Sequence, residues 1–431
     1  MKKTILLFCM TIVIASCSNE NLFNGVNPVK KSSVHKITPE QAQQNALEFV
    51  NKVNTTRGYA NYVKVSEVKA ISANKSLTRS VSDSINLDTL FYVVNFENDN
   101  GFIIASSDDR ETPVFAYIEE GNYEETEDSI VGDTMYITDS TYNAGYEAYM
   151  CALQEIEVNN RVLHHKNPED DELYDGVVPG PITGDGITAD NNVFHVMSPL
   201  LKTKWGQIKY MDYCPGNYTG CVVTAVSQIC SYIEVPNSLS FNDNGAYYSC
   251  TMDWNRINNE CENIYYGNVG SPDLSDQISK MMRFWGIVFD AEYKPNGTSV
   301  NSDYAISQLQ YYGINATSLS DYNGTDVINQ LRKGNRIIYM RGDGRYYHVW
   351  VIFRKYVDGH AWVVDGYIRS IKGWDVKYYL HCNWGWDGNK NGYFLRDIFD
   401  TEEGPAYYDD GTPTRSYSNY QYNLKTSVIC K

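Results

Sequence analysis

The sequence predicts an α+β protein made of two successive folded units. Three observations carry this expectation. The chain is 431 residues long, more than one ordinary compact core organises. A helix-start signal and a hairpin signal fall close together in the first 110 residues. In the second half, helical periodicities come first and strand-like runs follow from Arg336 onward, the order of an α+β domain.

The elements follow in order. Thr38-Pro39-Glu40-Gln41 has the form of a capping box with proline at the first helical position, opening a helix to about Val53. The apolar runs Leu90–Phe96 and Phe102–Ala105 flank Asn100-Gly101 and read as a β-hairpin. A helical stretch near Tyr142 to Ile156 closes this half. From Asn167 to Asn192 the chain is rich in Asp, Glu, Gly and Pro, with little to anchor it to a core, so it reads as an exposed linker open to proteases. The second unit runs over 193–431. After the loop Lys202–Gln207, Thr219-Gly220-Cys221 opens a helix with apolar positions Val222, Val226, Ile229 and Ile233, stopped by Pro236. A second helix carries Ile278, Met281, Met282 and Trp285 on one face; a third follows Asp303 to near Gly313, and a fourth spans Thr325 to Gly334. Strands are expected at Ile337–Met340, Tyr346–Phe353, Ala361–Val364, Val376–His381, Tyr393–Leu395 and just before Cys430.

Composition narrows the function classes. A formal charge of −17 without any Lys/Arg block excludes nucleic acid as a partner, because phosphate binding needs a concentrated basic face. Tyrosine outnumbers phenylalanine 36 to 14, which suits strand-rich surfaces that stay wet, and peptide-binding clefts. Lys2 and Lys3 precede the apolar run Ile5–Ile14, which is too short to span a bilayer and has signal-peptide form. It ends Ile14-Ala15-Ser16-Cys17, which resembles a bacterial lipobox. Residues 1–17 are therefore read as a lipoprotein signal, with Cys17 as the lipidated residue. No later run reaches membrane-helix length, so attachment to the cell envelope is expected through lipid alone.

Of ten cysteines, setting aside Cys9 and Cys17 leaves eight, and if Cys221 is kept as a free thiol seven remain: Cys151, Cys214, Cys230, Cys250, Cys261, Cys382 and Cys430. An odd number forbids complete pairing, and spacing fixes no partners. There is no CxxC pair to suggest zinc, and no metal or organic cofactor is expected.

A nucleophilic cysteine acts as a thiolate, and a helix N-terminus lowers its pKa through unpaired N–H groups and the helix dipole. Cys221 stands at such a start, after Gly220, which lets a substrate backbone approach. His360 follows the turn Asp358-Gly359 and opens an apolar strand, a placement that fixes and exposes an imidazole. Asn383, in His381-Cys382-Asn383-Trp384-Gly385-Trp386, can accept from the far nitrogen of the imidazole and hold its tautomer, shielded by a tryptophan. Gln207 can donate its amide to an oxyanion beside the Cys221 N–H. His348, 127 positions after Cys221, is the rival base. It lies within a strand body, where packing is the natural role, whereas His360 lies 139 positions downstream.

Trp205-Gly206-Gln207, Thr219-Gly220-Cys221-Val222-Val223-Thr224-Ala225, Gly359-His360-Ala361-Trp362-Val363-Val364-Asp365-Gly366 and His381-Cys382-Asn383-Trp384-Gly385-Trp386 together closely resemble the streptopain-like cysteine peptidases, from about Pro199 to the C-terminus. The hairpin with Tyr92–Phe96 and Gly101–Asp109 resembles that family's propeptide. The resemblance implies a papain-like fold, with a helical part plus an antiparallel sheet part, preceded by an α+β propeptide over 18–192. It implies a latent zymogen with Cys221 and His360 as the catalytic pair and Gln207 in the oxyanion hole. Trp384, Trp386, Gly220 and Gly359 are expected to bind substrate, and proteins or peptides are the expected substrates, with the propeptide as inhibitor. Two departures flank the expected cleft: a longer strand pair at Tyr346–Tyr356, and Gly411–Tyr417 in place of a glycine-rich loop. The rival readings are a transglutaminase-like acyl transferase, against which the Asn383–Trp386 block speaks, and an inactive surface binding protein on a peptidase fold. The presence of all four catalytic residue types speaks against the second.

Overall fold

A computed structural model of the chain describes residues 35–59, 62–73, 81, 85–124, 143–166, 193–263, 267–295, 297–343, 345–350, 353–357, 359–373, 375–399 and 422–431. The signal segment with Cys17, the 167–192 linker and the Gly411–Tyr417 departure lie outside these residues.

Helix α1 (Pro39–Thr56) starts at the capping box: Thr38 Oγ1 accepts from the Gln41 N–H, and the Thr38 N–H donates to Gln41 Oε1 at 2.8 Å. Strands β1 (Val65–Ile71), β2 (Phe91–Phe96), β3 (Phe102–Ser106) and β4 (Val114–Ile118) form an antiparallel meander. The β2–β3 hairpin turns at Gly101, whose φ of +87° and closeness to the Ile118 carbonyl (2.0 Å from a would-be Cβ) exclude a side chain. Helix α2 (Ala144–Lys166) runs ten residues past the expected end at Ile156. A tertiary anchor accounts for the extension: Arg161 near its C-terminus bonds the buried Asp108 carboxylate at 2.5 Å, which Arg110 also holds at 2.6 Å. The two guanidiniums outweigh burial and keep that carboxyl below its usual range.

The second half begins with β5 (Val193–Met197) and continues through α3 (Cys221–Ile233), the hairpin β6–β7 (Ser238–Asp243, Ala246–Thr251), α4 (Trp254–Asn263) and α5 (Pro272–Val288). Next come the short pair β8–β9 (Glu292–Lys294, Gly297–Ser299), α6 (Ser302–Tyr311), β10 (Ser320–Asp321) and α7 (Gly324–Arg332). The strands follow: β11 (Arg336–Asp343), β12 (Arg345–Trp350), β13 (Phe353–Val357), β14 (His360–Lys372), β15 (Asp375–Asn383), β16 (Gly392–Leu395) and β17 (Tyr422–Cys430). The single strand expected over Tyr346–Phe353 is instead a hairpin, β12 pairing with β13 from Arg345↔Val357 to Trp350↔Phe353, apart from the main sheet. No glycine or proline punctuates that apolar run, so periodicity alone reads one strand, and the strand pair at Tyr346–Tyr356 came only from the comparison with the streptopain-like pattern.

The two units are not separate bodies. One sheet runs through both in the order β1-β2-β3-β4-β16-β15-β14-β11-β17-β10, with β5 on the far half of β14. The join is β4 on β16, pairing Gly392 with Ile118 and Phe394 with Ala116. A core spans the join: Phe49 of α1 meets Phe194 and Tyr379 edge-on at centroid distances of 5.2 and 5.1 Å. A second core lies among α3, α5, α6 and β11, around Ile229, Met281, Trp285, Leu309 and Ile337. The eight cysteines among the described residues are all free thiols.

Candidate active site

Cys221 is the first residue of α3. Gly220 before it has φ +96° and lies against Thr298, with a would-be Cβ 3.1 Å from that side chain. Backbone N–H groups at the head of α3 and at Ala361 lie near enough to the Cys221 sulfur to favour its thiolate. Ala361 directly follows His360 on β14, and α3 packs against that strand, so the thiol lies at the strand start that carries the imidazole. β14 itself is held there by β11, with Gly342 opposite His360.

His360 is 5 % exposed, and its Nε2–H donates to the Trp384 carbonyl at 2.9 Å. A carbonyl only accepts, so the bond fixes the ring proton on Nε2 and makes Nδ1 the basic nitrogen. The tautomer-holding contact expected from the Asn383 side chain is thus made by the main chain one residue on. Asn383 is used elsewhere: its Nδ2 donates to the Thr203 carbonyl at 2.9 Å and to Gln228 Oε1 at 3.1 Å. Its Oδ1 accepts from Gln228 Nε2 at 3.2 Å and from the Gly385 N–H at 3.3 Å.

Gln207 is drawn beside the nucleophile through its backbone. Its carbonyl accepts from the Thr219 N–H at 2.8 Å and from Thr219 Oγ1 at 3.2 Å, two residues before Cys221. The preceding Gly206 N–H donates to Asp387 Oδ1 at 3.1 Å, and a Cβ on Gly206 would strike that carboxylate at 2.3 Å. Of the four residues expected to bind substrate, Gly220 and exposed Gly359 flank the pair, Trp386 is half-buried against the core, and Trp384 is only 1 % exposed. Trp384 is covered by α2: a Cβ on Gly145 would lie 2.2 Å from its ring and 3.0 Å from His360 Cδ2. His348 lies on β12, and its side chain is outside the described residues.

Burial dominates the electrostatics. It pushes His360 down to about 4, against the pull of the Trp384 carbonyl. It also raises the Cys221 thiol above its ordinary value, an effect only partly offset by the backbone N–H groups near the sulfur. With the first unit in place, both members of the pair are therefore neutral near pH 7. Among the described residues no group of three or more His, Cys, Asp or Glu could hold a metal ion. Sequence reasoning missed Gln228, Asp387, the Trp384 carbonyl and Gly145. For Gln228 a signal existed, a polar residue seven positions after Cys221 in an apolar helix.

The first unit grips the segment that follows β15. Lys390 lies over the Phe102 ring at 4.9 Å, with Tyr146 and Tyr123 at 5.8 and 6.0 Å, and donates to the Asn122 carbonyl at 3.0 Å. Asn143 Nδ2 donates to the Asn389 carbonyl at 2.6 Å. Arg57 bonds Glu119 and reaches the Tyr393 hydroxyl at 2.5 Å, and His381 lies between Glu119 and Asp365, its Nδ1 2.6 Å from Asp365.

Comparison with known proteins accords with this architecture. Residues 204–394 match the Peptidase C10 family and residues 34–146 match the Spi protease inhibitor family. The chain is therefore a cysteine-type peptidase that carries its own inhibitor domain, a zymogen. More narrowly, it is a streptopain-like peptidase with a C10 domain. Streptopain of Streptococcus pyogenes is 23 % identical over 422 residues, covering 92 % of each chain. A thiol protease/hemagglutinin of Porphyromonas gingivalis is 26 % identical over 364 residues, 78 % of this chain and 36 % of that protein. A fragment of Prevotella intermedia prointerpain A aligns with a TM-score of 0.47 at 20 % identity, over 85 % of this chain and 98 % of that one.

Proposed function

We propose that the chain is an exported endopeptidase in which Cys221 is the nucleophile and His360 its base, held latent by residues 18–192 and matured to the 193–431 enzyme. The observation that carries this reading is the packing of α3, which Cys221 opens, against β14, which opens on a histidine whose Nε2 is already committed to the Trp384 carbonyl. In the active form the proton passes from the thiol to Nδ1 of His360. The thiolate then attacks the scissile carbonyl, forming a C–S bond, while the Gln207 amide and the Cys221 N–H receive the oxyanion. Collapse breaks the C–N bond as Nδ1–H gives its proton to the leaving amine. Water then adds to the thioester with Nδ1 as base, releasing the acid and regenerating the thiol. Asn383 supports this geometry through the turn it closes.

Latency has two supports. Gly145 packs on Trp384 and His360, and the burial that follows keeps the imidazole and thiol neutral, where a thiolate–imidazolium pair is needed. Cleavage between about residues 155 and 195 would remove α2 and hydrate His360, so its pKa rises and the ion pair forms. Cys17 would tether the zymogen to the cell envelope, with maturation releasing the enzyme.

The test is the rate and pH dependence of Cys221 alkylation, followed by peptide mass, in chains clipped in the linker by an added protease. The wild type should stay reactive well below the free-thiol pKa of about 8.5. His360→Ala should lose this low-pH reactivity together with peptide hydrolysis, and His348→Ala should keep it. The reverse pattern would make His348 the base.

A further inference from the structure

We propose that Gln228 is a positioning residue for the reaction, registering the nucleophile helix, the oxyanion segment and the turn that holds His360. The inference rests on the Cys221–His360 reading and goes beyond it. Gln228 is two turns down α3 from Cys221, on the same face, and is fully buried at 0 % exposure. A buried amide must find partners for all of its polar atoms, and those of Gln228 belong to two different parts of the site.

Its Oε1 accepts from the Trp205 N–H at 2.9 Å, two residues before Gln207. The same oxygen takes the Asn383 Nδ2 at 3.1 Å and the Thr203 hydroxyl at 3.4 Å. Its Nε2 returns a bond to Asn383 Oδ1 at 3.2 Å, closing a reciprocal amide pair. Asn383 in turn takes the Gly385 N–H, bracketing Trp384, whose carbonyl orients the imidazole. One side chain on the helix of the thiol therefore fixes the main chain leading to the oxyanion donor and the main chain that sets the tautomer of the base. Other buried polar side chains of α3 have narrower uses, Thr224 bonding Thr219 and Ser231 bonding Thr203, whereas Gln228 bonds both Trp205 and Asn383.

Only an amide-like group, with acceptor and donor together, satisfies this arrangement. Gln228→Met keeps the bulk and removes both functions. Gln228→Glu keeps the acceptors, but its ionised form turns the donor into a second acceptor facing Asn383 Oδ1. Protonated, the carboxyl has an O–H to give and mimics the amide.

The experiment measures kcat and KM on a fluorogenic peptide, per thiol titrated, in linker-clipped wild type, Gln228→Met, Gln228→Glu and Cys221→Ala. Misplacement of reacting groups by about 1 Å costs about 100-fold. Gln228→Met should therefore lose about 100-fold in kcat at every pH with KM changed by less than about 3-fold. Gln228→Glu should approach wild-type kcat at low pH and lose it as the introduced buried carboxyl ionises, a pH limb that wild type lacks. Wild-type kcat in folded Gln228→Met, or a Gln228→Glu profile that follows wild type, overturns the proposal. If Gln228→Met does not fold, the Gln228→Glu profile decides alone. Hydrolysis surviving in Cys221→Ala would overturn the nucleophile reading and the proposal with it; a dead Cys221→Ala beside unaffected Gln228 variants sinks the proposal only.

Discussion

Replacing Gly145 with alanine should loosen the zymogen from inside. The added methyl would lie 2.2 Å from Cε3 and 2.7 Å from Cζ3 of Trp384, and 3.0 Å from Cδ2 of His360. Non-bonded carbons rest at about 3.5–4.0 Å. The tryptophan cannot swing aside, because it is packed between Trp362 and Phe394 at centroid distances of 5.2 and 5.1 Å and its indole N–H is bonded to the Lys390 carbonyl. The yielding part is therefore α2. Overpacking of this kind costs about 1–3 kcal/mol, which is about a 5- to 150-fold shift from the docked to the undocked form. The better helix propensity of alanine acts on α2 whether docked or not and largely cancels. The assay is carbamidomethylation of Cys221 in the uncleaved chain at pH 7, read by peptide mass before any self-processing. Gly145→Ala should accelerate it by a factor in that range, and its peptidase activity before cleavage should rise in parallel. An unchanged rate in a chain of unchanged thermal midpoint would refute the idea that this contact keeps the pair closed.

Other perturbations of the join give separate readouts. Burial pushes the Glu147 carboxyl up to about 7 although Lys390 pulls the other way. Since this lies above the ordinary glutamate value of about 4.5, the stability it represents is complete below that value and disappears as pH rises through about 7. Glu147→Gln should flatten the fall in thermal midpoint of the full chain between about pH 5 and pH 8; an identical slope in both proteins would show that other groups cause it. Arg57→Met should destabilise the uncleaved chain by about 3 kcal/mol or more in denaturant unfolding, because Glu119 is left without its guanidinium beside His381. The clipped enzyme, which lacks Arg57, serves as the reference. Cys17→Ser should abolish fatty-acid labelling and membrane partitioning, and continued labelling would locate the anchor elsewhere.

Local signals in the sequence translated directly into structure. The capping box at Thr38, the Asn100-Gly101 turn and the apolar stripe after Cys221 each depend on residues within a few positions, and each element stands where those residues put it. The strand Val114–Ile118 went unread in the sequence, and nothing local says that its partner lies at 392–394 in the other unit. That pairing joins the two units into one sheet, and it depends on a register set only when both units are folded. The site shows the same division. Residue types singled out Cys221 and His360 as candidates, but the atom that holds the imidazole is a main-chain carbonyl, and every residue in a sequence has one of those. Asn383 carries the expected chemistry and spends it on Gln228 instead.

The seam between β4 and β16 has a price for whatever remains after maturation. Once the first unit departs, β16 becomes a sheet margin with bare N–H and C=O groups, a template onto which foreign strands can add. Two features limit that hazard. The margin is only four residues long, and Gly392, where a Cβ would strike the Tyr117 carbonyl at 2.4 Å, offers an intruding strand no side chain to grip. What stays uncovered is a greasy flank, Phe194, Tyr379 and Phe394 among it, that loses α1 and α2 together. A freshly clipped enzyme should thus be stickier than its precursor, and handling losses after activation are to be sought at this flank and not at the cleft.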